Sequence, residues 1–402
     1  MESEVFKIIE KERKRQSENV ELIASENFVS ENVLKAMGSC FTNKYCEGYP
    51  AVRYDGLGRK GRYYGGCIYA DEVEEYCRKK WKEVFKTDYH VNVQPHAGSQ
   101  ANFAAFMSVL SPGDTILAMD LNNGGHLTHG SSVNFSGKLY KTVFYDVDDK
   151  GFIDYDDIDG KIKEHKPRLV LAGASAYSRE IDFNRIGRII KENSDETYRP
   201  YFMVDMAHIA GLVAAELHQS PFGIADIITT TTHKTLRGPR GGMIFCKPEL
   251  AKQVDGAVFP GSQGGPLMHV IAAKAVAAEE ACTPEYKEYI ADVVHNCKAM
   301  ADEFTARGYE IVTGGTDNHL FLVDFSNTHP KLSGKAVQDM LDEHAITLNK
   351  NCVPNEKRSP TQTSGVRIGT AAETTKGKTA EDFVKLADRI DELITEYYKT
   401  LD

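Results

Sequence analysis

Short apolar segments alternate with stretches of helical periodicity through the first two thirds of the chain. Strand-like runs lie at residues 114–119, 169–172 and 202–204, with helical patterns between them. Strands separated by helices form a mostly parallel sheet whose faces the helices cover. The pattern therefore predicts an α/β fold in which ligands collect at the carboxyl ends of the strands.

Two helical segments indicate how the chain is divided. Val5, Ile8 and Ile9 fall on one side of a predicted amphipathic helix near the amino terminus. An alanine-rich helix is predicted at residues 270–281, and Pro284 marks a break because proline interrupts helices. From these signals we predict a helical arm at residues 1–25, a large domain at 26–281 and a smaller α+β C-terminal domain at 282–402.

Composition narrows the class of protein. The chain of 402 residues is 41% hydrophobic, which is enough to bury a large core. Its net charge of −10 argues against general nucleic-acid binding and against binding to an anionic membrane surface. The sequence has no apolar segment of membrane-spanning length and no signal-peptide pattern. Its eight cysteines form no Cys-x-x-Cys pair, so we expect reduced thiols in a cytoplasmic protein.

One lysine, Lys234, follows a run of threonines and His233, and it precedes a glycine-rich turn. Predicted strands at residues 225–228 and 242–246 flank this segment. A lysine at the end of a buried strand can act as an amine nucleophile and form a Schiff base with an aldehyde cofactor such as pyridoxal phosphate. The alternative is a basic surface loop beside two strands.

A second segment favours the cofactor. Residues 200–205 form an apolar strand ending in Asp205, and His208 follows it. Pyridoxal chemistry requires a carboxylate against the pyridine nitrogen, since the protonated ring accepts the electrons released at the α-carbon of the substrate. Asp205 could instead cap the next helix. Its place one predicted strand before Lys234 supports the first interpretation.

Two glycine-containing segments are candidates for the phosphate and the ring face. Gly98, Ser99 and Gln100 precede an apolar helical stretch, and backbone amides at a helix start bind phosphate. The alternative there is an ordinary helix cap. His126 lies on a glycine-lined loop and could stack on an aromatic ring. Its His-x-x-His spacing with His129 could suggest zinc, but no cysteine or acid stands nearby at ligand spacing, so we predict no metal.

Arg367 lies in a strand-like segment at residues 363–370. A guanidinium group grips a carboxylate through two parallel hydrogen bonds, which suits an amino-acid substrate. The alternative is an ordinary surface ion pair.

Together these motifs resemble the serine hydroxymethyltransferase family. The resemblance is carried by Thr-Thr-Thr-Thr-His-Lys-Thr-Leu, Val-Asp-Met-Ala-His, Gly-Gly-His-Leu-Thr-His-Gly, Thr-Asn-Lys-Tyr-Cys-Glu-Gly-Tyr-Pro and Leu-Ile-Ala-Ser-Glu-Asn. It extends from the first helix to about residue 390. It implies the aspartate-aminotransferase-like fold of pyridoxal-phosphate enzymes. It also implies reversible transfer of the hydroxymethyl carbon of serine to tetrahydrofolate, giving glycine and 5,10-methylenetetrahydrofolate.

The resemblance also implies roles for individual residues. Catalytic roles fall to Lys234, which carries the Schiff base, and to Glu47, His233, Asp205, His126 and Tyr45. Cofactor binding falls to Gly98, Ser99, Gln100, His126, Ser175, Asp205, His208, Thr231, Lys234, Gly264 and Gly265. Substrate binding falls to Ser25, Tyr45, Glu47, Tyr64 and Arg367. Folate binding falls to Leu121, Gly125, Leu127, Asn351, Ser359, Pro360 and Thr361.

Gly264 and Gly265, with Gln263, match a loop that the neighbouring subunit lends to the cofactor phosphate. The resemblance therefore implies a homodimer or a higher homo-oligomer with shared active sites.

One departure from the family pattern lies before Arg62. We interpret residues 51–61 as an insertion, because the family passes quickly from Glu-Gly-Tyr-Pro to Arg-Tyr-Tyr-Gly-Gly. It is either a tolerated surface loop or, through Arg53, Arg59 and Lys60, a segment that attracts the glutamate tail of folate.

A second departure is Thr361, which follows Ser-Pro where bacterial relatives often have an aromatic residue. Two other functions stay open at this point. One is a folate-independent aldolase that acts on other 3-hydroxy amino acids with the same cofactor. The other is a non-catalytic binding or regulatory protein, which the presence of Lys234, Asp205, His126 and Arg367 disfavours.

Overall fold

The computed structural model describes residues 3–50 and 61–401. Residues 51–60, which include Arg53, Arg59 and Lys60 of the predicted insertion, lie outside this described part. The chain forms two compact units. The larger contains Val29–Ser175 and Glu180–Ala291, and the smaller contains Met1–Phe28, Ala176–Arg179 and Asp292–Asp402.

A seven-stranded sheet forms the centre of the larger unit. In spatial order its strands are His90–Asn92, Gly242–Cys246, Ile227–Thr231, Tyr201–Asp205, Leu169–Ala172, Thr115–Met119 and Lys141–Tyr145. Neighbouring strands are parallel except for Gly242–Cys246, which is antiparallel to both of its neighbours. The predicted α/β class with a mostly parallel sheet is therefore confirmed.

The predicted strands are found close to their expected positions, with one informative shift. The strand predicted at residues 225–228 runs instead from Ile227 to Thr231, so it includes Thr229, Thr230 and Thr231. All five of its residues are buried. β-Branched threonines pack well on a pleated surface, and that preference extends the strand to within three residues of Lys234.

Helices cover the sheet of the larger unit. They are Glu31–Met37, Ile68–Phe85, Gly98–Val109, Phe135–Leu139, Tyr155–His165, Phe183–Glu192, Ala210–Ala214, Ala251–Val258 and Met268–Ala281. Short 3₁₀ turns lie at Cys40–Asn43, Leu121–Asn123, Leu127–His129 and Pro248–Leu250. The strand Leu169–Ala172 is buried at every position, as expected where helices pack on both faces of a sheet.

The smaller unit is built on a four-stranded antiparallel sheet. The order is Asn349–Asn351, Gly365–Gly369, Leu320–Asp324 and Glu310–Ile311. A two-stranded parallel pair joins Val20–Glu21 to Ile346–Thr347. Its helices are Glu4–Glu18, Gly334–Glu343, Ala371–Thr375 and Ala380–Lys399, with a 3₁₀ turn at Val312–Gly314. Buried side chains of the antiparallel sheet and of the helices Gly334–Glu343 and Ala380–Lys399, including Phe321 and Phe383, contribute to its core.

The predicted helices are present. Met268–Ala281 ends before Thr283, and Pro284–Ala306 begins at the predicted break. The amino-terminal helix runs from Glu4 to Glu18, and none of its residues is buried within this chain. In the described part of the chain, no helix has both the length and the apolar composition needed to cross a membrane.

The compact units differ in outline from the predicted domains. Contacts group the first 28 residues with the C-terminal part of the chain, whereas the sequence analysis treated residues 1–25 as a separate arm. The domain boundaries 1–25, 26–281 and 282–402 stay a prediction.

Candidate active site

The carboxyl ends of four parallel strands of the larger unit border a cavity of about 140 Å³. The end of each strand, or the loop after it, contributes side chains that line the cavity. They are His126 and His129, then Ala174 and Ser175, then Asp205, Ala207 and His208, and finally Thr231, His233 and Lys234. The sequence prediction that Asp205 and Lys234 meet at one edge of the sheet is therefore confirmed by the geometry.

Asp205 ends its strand with a carboxylate that accepts three hydrogen bonds. The Nδ2 atom of Asn102 donates to Oδ2 at 2.8 Å, and the backbone N–H of Ala207 donates to Oδ1 at 3.0 Å. Nε2 of His129 lies 3.1 Å from Oδ2. Burial alone raises the pKa of this carboxyl, but the contacts with His129, His126 and Asn102 outweigh it and hold the pKa far below the ordinary value. Asp205 is therefore an ionised carboxylate inside the cavity.

The turn at Leu127–His129 orients both histidines. The backbone N–H of His126 donates to Nδ1 of His129 at 3.3 Å, so Nε2 of His129 carries the proton that faces Asp205. The backbone N–H of Thr128 donates to Nδ1 of His126 at 3.2 Å. The hydroxyl of Thr128 also lies 2.7 Å from that nitrogen and accepts a hydrogen bond from Asn102 at 2.7 Å.

Lys234 lies three residues beyond the end of its strand, and its side chain returns to that end. Its Nζ donates to Oγ1 of Thr231 at 3.2 Å. His233 precedes it, and burial, together with the positive charges of Lys234 and Arg240, lowers the pKa of His233 to about 3. His233 is therefore neutral at physiological pH, and the lysine has an uncharged neighbour.

The helix Gly98–Val109 begins at the cavity. Ala97, Gly98 and Ser99 line it, whereas Gln100, predicted to join them, is not among the lining residues. A Cβ atom at Gly98 would lie 2.7 Å from Cγ2 of Thr231, closer than real Cβ contacts, so only glycine allows this approach. The first amides of a helix have no partner within it, which leaves them available to an anion.

A second group of predicted residues lies together outside the cavity lining. The hydroxyl of Tyr45 donates to Oε1 of Glu47 at 3.3 Å, and the rings of Tyr45 and Tyr64 meet edge to face at 5.2 Å. Cβ atoms added at Gly264 and Gly265 would lie 3.1 Å from Oε1 of Glu47 and 3.2 Å from the Tyr45 ring. The predicted substrate residues and the predicted phosphate loop are therefore neighbours within one chain.

Arg62 fixes the backbone on both sides of Glu47. Its guanidinium donates to the carbonyls of Cys46 at 3.1 Å and Gly48 at 2.8 Å. It is itself held by Asp71 and Glu74, with the shortest contacts at 2.8 and 2.6 Å. Glu47 thus projects from a backbone that is tied down at both neighbours.

Gln263 connects this group with the segment that precedes Gly98. Its Oε1 accepts from the backbone N–H of His96 at 3.0 Å, and its Nε2 donates to the carbonyl of Gln94 at 3.0 Å. His96 lies two residues before Gly98, so Gln263 contacts the segment that leads into the helix predicted to bind the phosphate.

The comparison with protein families gives one result. The model of the serine hydroxymethyltransferase family matches residues 1–390 of this 402-residue chain. The chain belongs to the serine hydroxymethyltransferase family. The protein is therefore a pyridoxal-phosphate-dependent transferase that interconverts serine and glycine, with tetrahydrofolate as co-substrate.

The cavity fits the cofactor of a serine hydroxymethyltransferase. Pyridoxal phosphate carries an aldehyde, a basic ring nitrogen and a phosphate. The cavity offers an amine at Lys234, an ionised carboxylate at Asp205 and the helix start at Gly98. Each group of the cofactor thus has a chemically matched partner.

His126, His129 and Asp205 also place potential metal-ligand atoms within 4.8 Å of one another. No acid stands near these histidines in the sequence, but the fold brings Asp205 to them from 76 positions beyond His129. Both nitrogens of His129 already have partners, the N–H of His126 and the carboxylate of Asp205. A metal ion would have to replace these hydrogen bonds.

The remaining predicted residues are distributed between the two units. In the larger unit, Leu121 and Leu127 are exposed by 42% and 46%, and Gly125 packs against the backbone of Met119. In the smaller unit, Nε of Arg367 donates to Oδ1 of Asn349 at 3.1 Å, and burial lowers the pKa of Arg367 to about 10. Arg367 therefore stays a cation at neutral pH.

The other residues predicted in the smaller unit have ordinary local contacts. The side chain of Asn351 donates to the carbonyl of Cys352 at 2.6 Å. The hydroxyls of Ser359 and Thr361 lie 2.9 Å apart on an exposed turn that also contains Pro360. Ser25 is half-buried in a turn near the amino terminus.

Three polar or charged residues that line the cavity were not predicted from the sequence as site residues: Asn102, His129 and Arg240. Asn102 lies on the helix Gly98–Val109, one turn after Gly98. Helical spacing therefore places it on the same face of the helix as Gly98, which was predicted to bind the phosphate. A signal was therefore present for Asn102. His129 was considered only as a metal ligand.

Proposed function

We propose that the cavity at the strand ends is the active site for hydroxymethyl transfer, with Lys234 as the covalent anchor of pyridoxal phosphate. The observation that supports this most strongly is the Asp205 carboxylate, held ionised by three donors in a cavity that Lys234 also lines. A carboxylate in this state keeps a facing pyridine nitrogen protonated.

When bound, pyridoxal phosphate supplies an electron sink for the bonds that break at the α-carbon of the amino acid. In our proposal, residues of the chain orient the cofactor and stabilise the charges of its ring nitrogen and its phosphate. Asp205, held by its donor His129, would pair with the ring nitrogen, His126 would cover the ring, and the start of the helix at Gly98 would bind the phosphate. Ser175, His208 and Thr231 complete the cavity wall around the cofactor.

We assign proton transfer to Glu47 and Tyr45, which already share a hydrogen bond at 3.3 Å. A carboxyl group held by a fixed backbone can move a proton between the substrate hydroxyl and a folate nitrogen. Tyr45 and Tyr64 are 57% and 44% exposed, so their aromatic faces are accessible for a substrate or for another subunit. We propose that this group, with Gly264 and Gly265, serves the cavity of a second copy in a homodimer or a higher oligomer.

Three further assignments stay predictions. Arg367 and Ser25 are assigned to the carboxylate of the amino-acid substrate. Leu121, Gly125, Leu127, Asn351, Ser359, Pro360 and Thr361 are assigned to folate. We also expect the protein in the cytoplasm, consistent with eight free cysteines, all of them among the described residues.

The decisive experiment measures serine-to-glycine conversion with and without tetrahydrofolate, followed by borohydride reduction and peptide mapping of the holoenzyme. We expect turnover that requires folate and a reduced cofactor adduct on Lys234. An adduct at another lysine would refute the assigned site. Conversion at the same rate without folate would favour the aldolase alternative.

A further inference from the structure

Lys274 is a buried cation that the proposed catalytic chemistry does not use. It lies on the helix Met268–Ala281, and its side chain is 1% exposed. Among the described residues, no carboxylate lies within ion-pair distance of its Nζ, although an unpaired buried charge is costly. Such a residue needs another source of stabilisation.

Three backbone carbonyls provide that stabilisation. Nζ of Lys274 donates to the oxygen of Val93 at 2.7 Å, to that of Pro95 at 3.1 Å and to that of Gly242 at 2.8 Å. A protonated lysine has three N–H donors, so each carbonyl receives one of them. The ammonium group is thereby fully hydrogen-bonded by backbone carbonyls alone.

These carbonyls belong to two segments that meet beside the cavity. Val93 and Pro95 lie just before the helix start at Gly98, and Gly242 begins the strand that follows the Lys234 loop. The segments are also joined directly, since the N–H of Gly242 donates to the oxygen of Pro95 at 3.0 Å. A Cβ atom at Gly242 would lie 2.5 Å from the oxygen of Ala97, the residue that caps the helix.

The loop also leaves room for this particular lysine. A Cβ atom at Gly241 would lie 2.4 Å from Cε of Lys274, so a side chain there would displace it. The backbone of the loop and the lysine are therefore fitted to each other.

We infer that Lys274 is a positioning residue for the phosphate end of the cofactor: by binding these three carbonyls it holds the helix start at Gly98 in place and adds positive potential behind it. This inference rests on the proposed function, because it takes Gly98 as the phosphate site. It predicts that Lys274 affects binding of the phosphate more than binding of the ring.

The charged and titratable groups around Lys274 allow a pH test. Glu74 and Cys77 face it from the helix Ile68–Phe85, and His96 and His233 lie on the two loops. Glu74 is ion-paired with Arg62. Burial raises the pKa of Cys77 to about 12, and burial lowers the pKa of both His96 and His233 below the ordinary value.

Lys274 itself titrates in a pH range that binding experiments can cover. Burial lowers its pKa to about 8, and a neutral amine keeps only two donors for three carbonyls. Phosphate affinity should therefore weaken as the pH rises through this value.

The experiment is equilibrium dialysis of the full-length protein loaded with pyridoxal phosphate or with pyridoxal, which lacks the phosphate. The ratio of the two dissociation constants is compared between proteins, because the aldehyde chemistry of each free ligand is the same for every protein and cancels in that comparison. In Lys274→Met we expect the preference for the phosphorylated ligand to fall by about tenfold or more, the size expected when hydrogen bonds from a charged group are lost. In the wild type the same preference should fall between about pH 7 and about pH 9.5, and in Lys274→Met it should stay flat over that range.

Ile271→Ala is the matched control, because Ile271 is buried on the same helix and its loss destabilises the core without removing a donor. It should leave the ligand ratio unchanged. A folded Lys274→Met protein with the wild-type ratio would overturn the role of Lys274, as would a wild-type ratio that does not change with pH. The second measurement needs no variant, so it decides the question even if Lys274→Met does not fold. Failure of the wild type to bind pyridoxal phosphate at Lys234 would instead overturn the proposed active site.

Discussion

Nε2 of His129 lies 3.1 Å from Oδ2 of Asp205, although 76 positions separate the two residues in the sequence. Nδ1 of the same ring accepts the N–H of His126, so the proton on Nε2 is directed at the carboxylate. This hydrogen bond is a main reason why Asp205 stays ionised despite its burial. The ionised state of Asp205 thus depends on the loop that follows the strand Thr115–Met119.

The first prediction concerns that charge. Asp205→Asn should keep the shape of the side chain but lower kcat for serine by roughly 10²- to 10³-fold, because a neutral amide cannot keep the ring nitrogen protonated. Steady-state kinetics of cofactor-loaded protein measure this. Asp226→Asn is the control, since Asp226 is also buried but pairs with Arg199 and Lys247 away from the cavity lining. It should cost stability and leave kcat unchanged. Unaltered turnover in Asp205→Asn would remove Asp205 from the mechanism.

The second prediction concerns stability at acid pH. The folded protein lowers the pKa of His233 to about 3, whereas an unfolded histidine titrates near about 6.5. Between these values the unfolded chain binds more protons, so stability is lost as the pH falls from about 6.5 towards about 3. His233 alone should contribute a loss of about 2 kcal/mol between about pH 6.5 and about pH 5.

Urea unfolding of His233→Gln at both pH values tests this contribution. The variant should lose less stability on acidification than the wild type. His165→Gln, at the exposed end of a surface helix, is the control and should lose as much stability as the wild type between the two pH values. Parallel pH curves for wild type and His233→Gln would contradict the prediction.

Part of this site could be predicted from the sequence, because strand ends and motif spacing indicate which residues gather at one edge of a sheet. That reasoning predicted that Asp205 and Lys234 lie at one edge of the sheet, and both line the same cavity as Gly98. It could not place Asn102 against Asp205, since helical phase gives direction but no distance across the fold. It also gave no reason to connect Lys274 with the cavity, because an alanine-rich helix does not reveal which backbone carbonyls its one lysine will meet.

The third prediction concerns Glu47. Glu47→Gln should lower kcat for the folate-dependent reaction by roughly 10²- to 10⁴-fold, because the amide cannot accept or release the proton. Cofactor content should stay at the wild-type level, since glutamine keeps the size of Glu47 and the role proposed for Glu47 concerns the substrate proton rather than the cofactor. Absorbance of the bound cofactor and steady-state kinetics separate the two effects. Glu83→Gln, on the exposed surface of the helix Ile68–Phe85, serves as the control. Equal kcat values for all three proteins would exclude proton transfer by Glu47.

The fourth prediction compares two helical glycines. Gly98→Ala places a Cβ atom 2.7 Å from Cγ2 of Thr231, so the start of the helix must shift away from the cavity. We expect cofactor affinity to fall by roughly tenfold and stability by about 1–3 kcal/mol, the usual cost of overpacking.

At Gly160, within the helix Tyr155–His165, a Cβ atom meets no described atom within 4 Å. Gly160→Ala should therefore stabilise the protein by up to about 1 kcal/mol, because alanine is the better helix former, and should leave cofactor binding unchanged. Dialysis against pyridoxal phosphate and thermal unfolding measure both effects. If both variants bind the cofactor as tightly as the wild type, the close approach of Gly98 to Thr231 does not shape the phosphate site.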